Sequence, residues 1–124
     1  MAAEPSGHSW STSRVAEDQR ELAGFLIAFL SPSEPQLAYV HFVGVRQDHR
    51  RSGLARQLYE DFADYARQQG RVELRAINAP SNTGSIRFHQ GLGFTVSEPA
   101  ANYNGPGRAI VIFKRPLNQP SKVP

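Results

Sequence analysis

The sequence predicts an α/β domain, a mixed α+β sheet that is mostly antiparallel and flanked by helices. Three observations carry this. Two apolar runs, "LAGFLIAFL" (22–30) and "LAYVHFVGV" (37–45), are nearly continuous, and the second is rich in β-branched and aromatic residues. Runs of that kind read as strands with both faces covered. After Gly53 the pattern changes: Leu54, Leu58, Phe62, Tyr65 and Ala66 recur at steps of three and four, which marks an amphipathic helix. From there strand-like and helix-like segments alternate up to "RAIVIFKR" (108–115).

Taken in order, "SWSTSRVAED" (9–18) alternates weakly and reads as a first strand, ended by the polar turn at 17–21. Residues 22–30 form a central second strand, "SPSEP" (31–35) a loop, and 37–45 a third strand, most simply as an antiparallel meander. The helix runs from 54 to about Gln69, with Gly70 where a C-terminal cap belongs. "RVELRAI" (71–77) is a fourth strand. "NAPSNTGSIRFHQGLGF" (78–94) holds a loop, a short helix from Thr83 and a glycine-rich stop. "RAIVIFKR" is the last strand, with "TVSE" (95–98) its partner, and "NYNGPG" (102–107) is a tight turn by composition. The order is β-β-β-α-β-α-β-β. Residues 1–9 are expected as a flexible arm, 10–116 as one domain and 117–124 as a flexible tail.

Composition narrows the chemistry. The chain of 124 residues suits one domain with a single core. It has no cysteine, which removes disulfides, thiol nucleophiles and cysteine zinc sites together. His8, His41, His49 and His89 show no metal-ligand spacing, so no metal is expected. The longest apolar run, 22–30, is too short to span a bilayer. The start "MAAEPSGHSW" lacks the basic and apolar parts of a secretory signal, so the expectation is a cytoplasmic protein with no membrane partner.

Charge is concentrated. Residues 46–56 carry Arg46, Arg50, Arg51 and Arg56 against Asp48, which accounts for the whole net charge of +3. A nucleic-acid-binding domain spreads basic residues over a face; a point source fits a compact polyanion better. "DHRRSGLARQLY" (48–59) places this charge where a loop becomes a helix. A helix start exposes N–H groups and the positive end of the dipole, Gly53 allows close backbone approach, and Ser52 can cap or donate. A pyrophosphate fits these features. The phosphate-loop and dinucleotide glycine patterns are both absent. The bland reading is a solvated basic turn ahead of an amphipathic helix.

"FVGVRQDHRRSGLARQLY" resembles motif A of the GNAT superfamily of N-acetyltransferases, with Arg50, Gly53 and Ala55 at the three signature positions. "NTGSIRFHQGLGF" (82–94) is similar to that superfamily's motif B, and one helix and one strand separate the two. The resemblance covers residues 10–115. It implies a GNAT-like fold that lacks the usual first strand and first two helices, and acetyl-CoA as the acetyl-donor co-substrate. It places Val43 and Val45 on the pantetheine arm. Arg51, Ser52, Gly53, Leu54, Ala55 and Arg56, with Arg50, fall around the pyrophosphate, and Asn82 and His89 on the cofactor.

Acetyl transfer to an amine needs a neutral amine, a donor for the tetrahedral oxyanion and a proton for the departing thiolate. The resemblance puts the oxyanion donor at a strand amide near Val43 or Gly44, and it puts His89 where many relatives carry an acid tyrosine. His89 is thus a candidate acid; the alternative is a ring that packs on the cofactor. Alternation predicts that Leu37, Tyr39, His41, Val43 and Val45 share one strand face. The resemblance implies a base on this strand upstream of the pantetheine contacts, which makes His41 and Tyr39 the base candidates, with a buried structural histidine as the plain alternative and Glu73 a weaker substitute. Tyr103 reads as turn packing. The acceptor is expected to be a primary amine, and a sheet face left bare by the short N-terminus predicts a homodimer. Two other readings stand beside this one: an acetyl-CoA sensor of the same fold, and a small basic nucleic-acid-binding domain.

Overall fold

The computed structural model describes residues 4–5, 13–19, 21–49, 53–100 and 109–117. The first three long strands are β2 (Arg14–Asp18), β3 (Glu21–Leu30) and β4 (Leu37–Val45), an antiparallel meander. Ahead of them β1 (Glu4–Pro5) pairs antiparallel with β2, so part of the segment read as an arm adds a short edge strand. A 3-10 turn, Gln47–His49, leads to α1 (Leu54–Gln68), which crosses over to β5 (Glu73–Asn78). Then come α2 (Thr83–Gly91), β6 (Thr95–Val96) and β7 (Val111–Pro116). The seven strands form one sheet in the order β1-β2-β3-β4-β5-β7-β6. Of its neighbouring pairs, β4–β5 is the parallel one, joined through α1 as parallel strands require.

The helix forms where the period changes and buries a broad stripe: Leu54, Leu58, Tyr59, Phe62, Ala63 and Ala66. Burying Leu58 and Phe62 fully contributes about 1.5–3 kcal/mol each. α1 lies close to the sheet because Gly24 has no side chain there; a Cβ would stand 3.0 Å from a methyl carbon of Leu54. Ion pairs brace its flanks, Arg14 to Asp61 at 2.6 Å and Arg115 to Glu60 through two bonds of 2.9 and 3.0 Å. The turn after the helix ends on Gly70, whose N–H donates to the Arg67 carbonyl at 3.0 Å.

Three boundaries differ from the sequence reading. The first strand occupies 14–18 of the expected 9–18; residues 9–12 lie outside the described residues, as do Tyr103 and the expected turn at 102–107. β5 starts at Glu73 rather than 71. Leu117, placed in the tail, is fully buried, and its N–H donates to the Val72 carbonyl at 2.8 Å. A single apolar residue with a pocket to fill holds the chain down past the end of the last strand.

One expectation about coverage fails. Residues 22–30 read as a strand covered on both sides, but the helices cover one face only. Leu26 and Ala28 face α1, while Ile27 and Phe29 are each 42% exposed on the other side. Phe29 stacks on Tyr39 at 5.3 Å and Phe25 meets Phe42 at 5.8 Å, so this face is an aromatic layer.

Candidate active site

The site begins with a one-residue irregularity in β4. Ala28 lies opposite Val40 and Ile27 opposite Phe42, which leaves His41 as the extra residue of a β-bulge. A bulge bends its strand and raises the local twist. The parallel ladder to β5 ends at the same level: Val40 opposite Ala76 is its last pair. Past it, Ile77 and Asn78 stay with β7 while β4 continues to Val45. The two strands part, and a cleft of about 380 Å³ opens between them, within the range of small-ligand pockets.

Its walls come from four elements. Val40 to Val45 form one side, Ala76 to Asn78 the other, Ala55 and Tyr59 of α1 the floor, and Asn82, Ser85, Phe88 and His89 the α2 side. The N–H of Arg46 donates to the Ala23 carbonyl at 2.7 Å. Counting back along an antiparallel ladder, Gly44 and Phe42 also bond to β3, so the N–H groups of Val43 and Val45 point toward the cleft side.

The bulge overturns the shared face expected for residues 37–45. Val43 and Val45 pack with the α1 side of the sheet. Tyr39 lies on the opposite, aromatic side and its hydroxyl is 3.5 Å from Glu34 Oε1. It does not line the cleft, whereas His41 does and is exposed. Glu73 is paired with Arg75. One inserted residue therefore separates the two base candidates.

The start of α1 abuts this floor. Gly53 has φ +84°, and its carbonyl accepts the first helical bond, from Gln57 N–H at 2.9 Å. No side chain caps the helix, so the N–H groups of Ala55 and Arg56 stand ahead of that first bond at the positive end of the dipole. Leu54 points its side chain into the core and can serve a ligand only through its backbone. Arg56 Nη2 donates to the Gly91 carbonyl at 3.1 Å, tying the start of α1 to the end of α2. Arg50, Arg51 and Ser52 lie outside the described residues. Arg46 is engaged elsewhere, held by Asp48 at 2.7 Å and Glu21 at 3.0 Å.

α2 starts at Asn82, whose Oδ1 accepts the Ser85 N–H at 3.1 Å. One turn later, Ser85 sits beside His89. The His89 ring is 4% exposed and stacks on Phe113 at 4.2 Å. Its Nδ1–H donates to the Ser85 carbonyl at 2.8 Å, and its Nε2 accepts the Tyr59 hydroxyl at 2.5 Å. Desolvation lowers its pKa, opposed by the bond to Ser85. His89 is thus neutral at pH 7 and has no spare proton. Burial pushes the Tyr59 phenol pKa up, so it keeps its own proton.

Residues 2–94 match the family model described as the acetyltransferase (GNAT) family. The chain belongs to that family. Solved structures agree on the fold. A GNAT-family protein from Desulfovibrio desulfuricans superposes with a TM-score of 0.79 at 19% identity, covering 85% of this chain and 68% of that one. The ribosomal-protein-S18-alanine N-acetyltransferase of Escherichia coli gives 0.71 at 21%, covering 94% and 83%. The acetyltransferase yncA from Salmonella typhimurium, solved with acetyl-CoA, gives 0.71 at 24%, covering 90% and 67%. No curated protein matches the chain significantly. No described helix is long and apolar enough to cross a membrane, and no group of acidic and histidine side chains among the described residues is placed to hold a metal ion.

Tyr59, Asn78, Ser85 and Phe88 join the site without having been singled out in the sequence. Ser85 had a visible signal: it stands three residues after Asn82 and four before His89, which puts all three within two helical turns.

Proposed function

We propose that the cleft between β4 and β5 binds acetyl-CoA and that the protein moves the acetyl group to a primary amine by direct attack in a ternary complex. The observation that carries this reading is the parting of the two strands at the His41 bulge, directly over the start of α1. The arrangement offers what such a ligand needs. Val43 and Val45 present N–H groups to an extended amide-bearing arm, as an added strand would. The α1 start offers N–H groups and the dipole to a pyrophosphate, with Arg50, Arg51 and Ser52 adjacent in sequence.

In this reading the amine nitrogen attacks the thioester carbonyl carbon, and the N–H of Val43 donates to the oxygen that gains charge. The carbon–sulfur bond then breaks. His41, exposed at the bulge, takes the proton that the amine nitrogen loses. His89, neutral and fully bonded, is a wall of the cleft rather than the acid, so the departing thiolate takes its proton from water. Tyr39, stacked on Phe29, borders the side from which the acceptor arrives. The aromatic face around it is covered by a second copy of the chain, and sedimentation at high micromolar concentration should show a dimer.

The deciding experiment measures thiol release from acetyl-CoA across a panel of primary amines. Release that depends on one amine class supports the transferase. Binding of acetyl-CoA without release from any amine would reduce the protein to a ligand-binding member of its family.

A further inference from the structure

The mechanism above leaves one buried polar group in the cleft without a task. Tyr59 is fully buried, lines the floor, and stands on α1 as the last residue of the stretch that resembles motif A, at none of its signature positions. Its hydroxyl meets Nε2 of His89 across two helices. The contact continues as a chain. His89 Nδ1–H donates to the Ser85 carbonyl. Asn78 Nδ2 donates to Ser85 Oγ at 2.8 Å, and Asn82 Nδ2 to Asn78 Oδ1 at 3.4 Å. All five of these residues line the same cleft.

The direction of the chain is fixed at one end. A carbonyl oxygen can only accept, so Nδ1 of His89 must carry the proton that points at Ser85. Nε2 is then bare and must accept, and the Tyr59 hydroxyl must donate. Around the ring stand Tyr59 from α1, Phe113 from β7, Phe94 after α2, and Ser85 and Phe88 from α2 itself. Of these contacts Tyr59 alone is titratable. The remaining partners are apolar rings and the carbonyl and hydroxyl of Ser85, so the Ser85 carbonyl sets the tautomer and the Tyr59 hydroxyl is what satisfies Nε2.

We infer that Tyr59 is a positioning residue for acetyl transfer. Its hydroxyl donates to Nε2 and anchors the ring whose Nδ1–H holds Ser85, and with it Asn78 and Asn82, in line as the polar wall that the pantetheine arm meets. The inference rests on the cleft being the acetyl-CoA site. It gives the α1 floor a second task beside the phosphate: the same helix that presents N–H groups at its start steers the opposite wall one turn later.

The test has two parts. In the free wild-type protein, nitrogen-15 spectra of the His89 ring should show the Nδ1–H tautomer, unprotonated at Nε2 and neutral at pH 7. An Nε2–H tautomer would overturn the inference with no variant needed. Tyr59→Phe keeps the ring and removes the hydroxyl. It should weaken acetyl-CoA binding in calorimetry about three- to tenfold and move the His89 Nε2 resonance to that of a nitrogen with no hydrogen bond, while Tyr59→Phe and wild type keep the same far-ultraviolet spectrum. Should Tyr59→Phe fail to fold, the wild-type spectra still decide, because an Nε2 resonance with no hydrogen bond would overturn the inference. If it folds and both the Nε2 resonance and the affinity match wild type, Tyr59 merely fills space. Wild-type protein that binds no acetyl-CoA would instead refute the function on which the inference stands.

Discussion

Gly53→Asn separates two things that Gly53 does. Its φ of +84° lies in the left-handed region, where most residues cost about 1–2 kcal/mol and asparagine much less. No described atom lies within 4 Å of where a Cβ would sit, so the side chain meets open space rather than protein. That space is where the reading above puts a pyrophosphate. Gly53→Ala should therefore lose about 1–2 kcal/mol of stability, a drop in Tm of roughly 3–10 °C for a chain of this size. Gly53→Asn should keep most of its stability, yet its Cβ blocks close approach of the ligand to the backbone. Losing one hydrogen bond to a charged phosphate oxygen costs about 1.5–3 kcal/mol, so acetyl-CoA should bind roughly 10- to 100-fold more weakly. The assay is calorimetry with acetyl-CoA and with its phosphate-free pantetheine thioester, beside thermal unfolding. The fragment should bind both proteins equally. If Gly53→Asn unfolds like wild type and binds acetyl-CoA like wild type, the phosphate does not sit at the start of α1.

Three further outcomes are expected. His41→Phe should abolish the acidic limb of the rate profile, leaving a rate that follows the free amine; a limb that persists assigns the base elsewhere. His89 has its folded pKa depressed, so between its unfolded value, about 6.5, and the lower folded one the unfolded chain binds the extra proton. Stability from this residue is complete above that range and is lost as pH falls through it; denaturant midpoints of His89→Phe should fall less than wild type between pH 7 and 5. Leu117→Ala removes a fully buried side chain and should cost about 2–4 kcal/mol; a change under 0.5 kcal/mol in a urea titration would show that Leu117 is free after all.

What was legible in the sequence followed from local pattern. α1 announced itself by its period, and its limits came within a residue. The stretch that leads into α1, and α2, carried recognisable wording in the right order. The bulge did not, because it is a relation between β3 and β4 rather than a property of either. Its trace is a spacing: Ala38, Val40, Val43 and Val45 face α1, with one step of three among steps of two. Read as strict alternation, the same residues put Tyr39 beside Val43 and misplaced a base candidate. The Tyr59–His89 bond joins positions 30 apart, and no pattern along the chain encodes it. A bare sheet face was expected, but not on the strand at 22–30, for a different reason: a strand apolar on both sides looks the same whether a helix covers it or nothing does.

The sheet is not assembled in the order in which it is made. β7, the last strand described, inserts between β5 and β6 and pairs with β5 along its whole length, from Glu73 opposite Pro116 to Asn78 opposite Val111. During synthesis, at about 5–20 residues per second, β5 must wait with one edge bare until residues 111–116 emerge. β4, pulled away by its bulge, cannot hold β5 alone beyond Ala76. The nascent chain can therefore complete the meander and α1 early, but the Ile77 and Asn78 side of the cleft has no paired neighbour until β7 arrives. A chain truncated before Val111 should therefore be released partly folded, with the free edge of β5 offered to its neighbours.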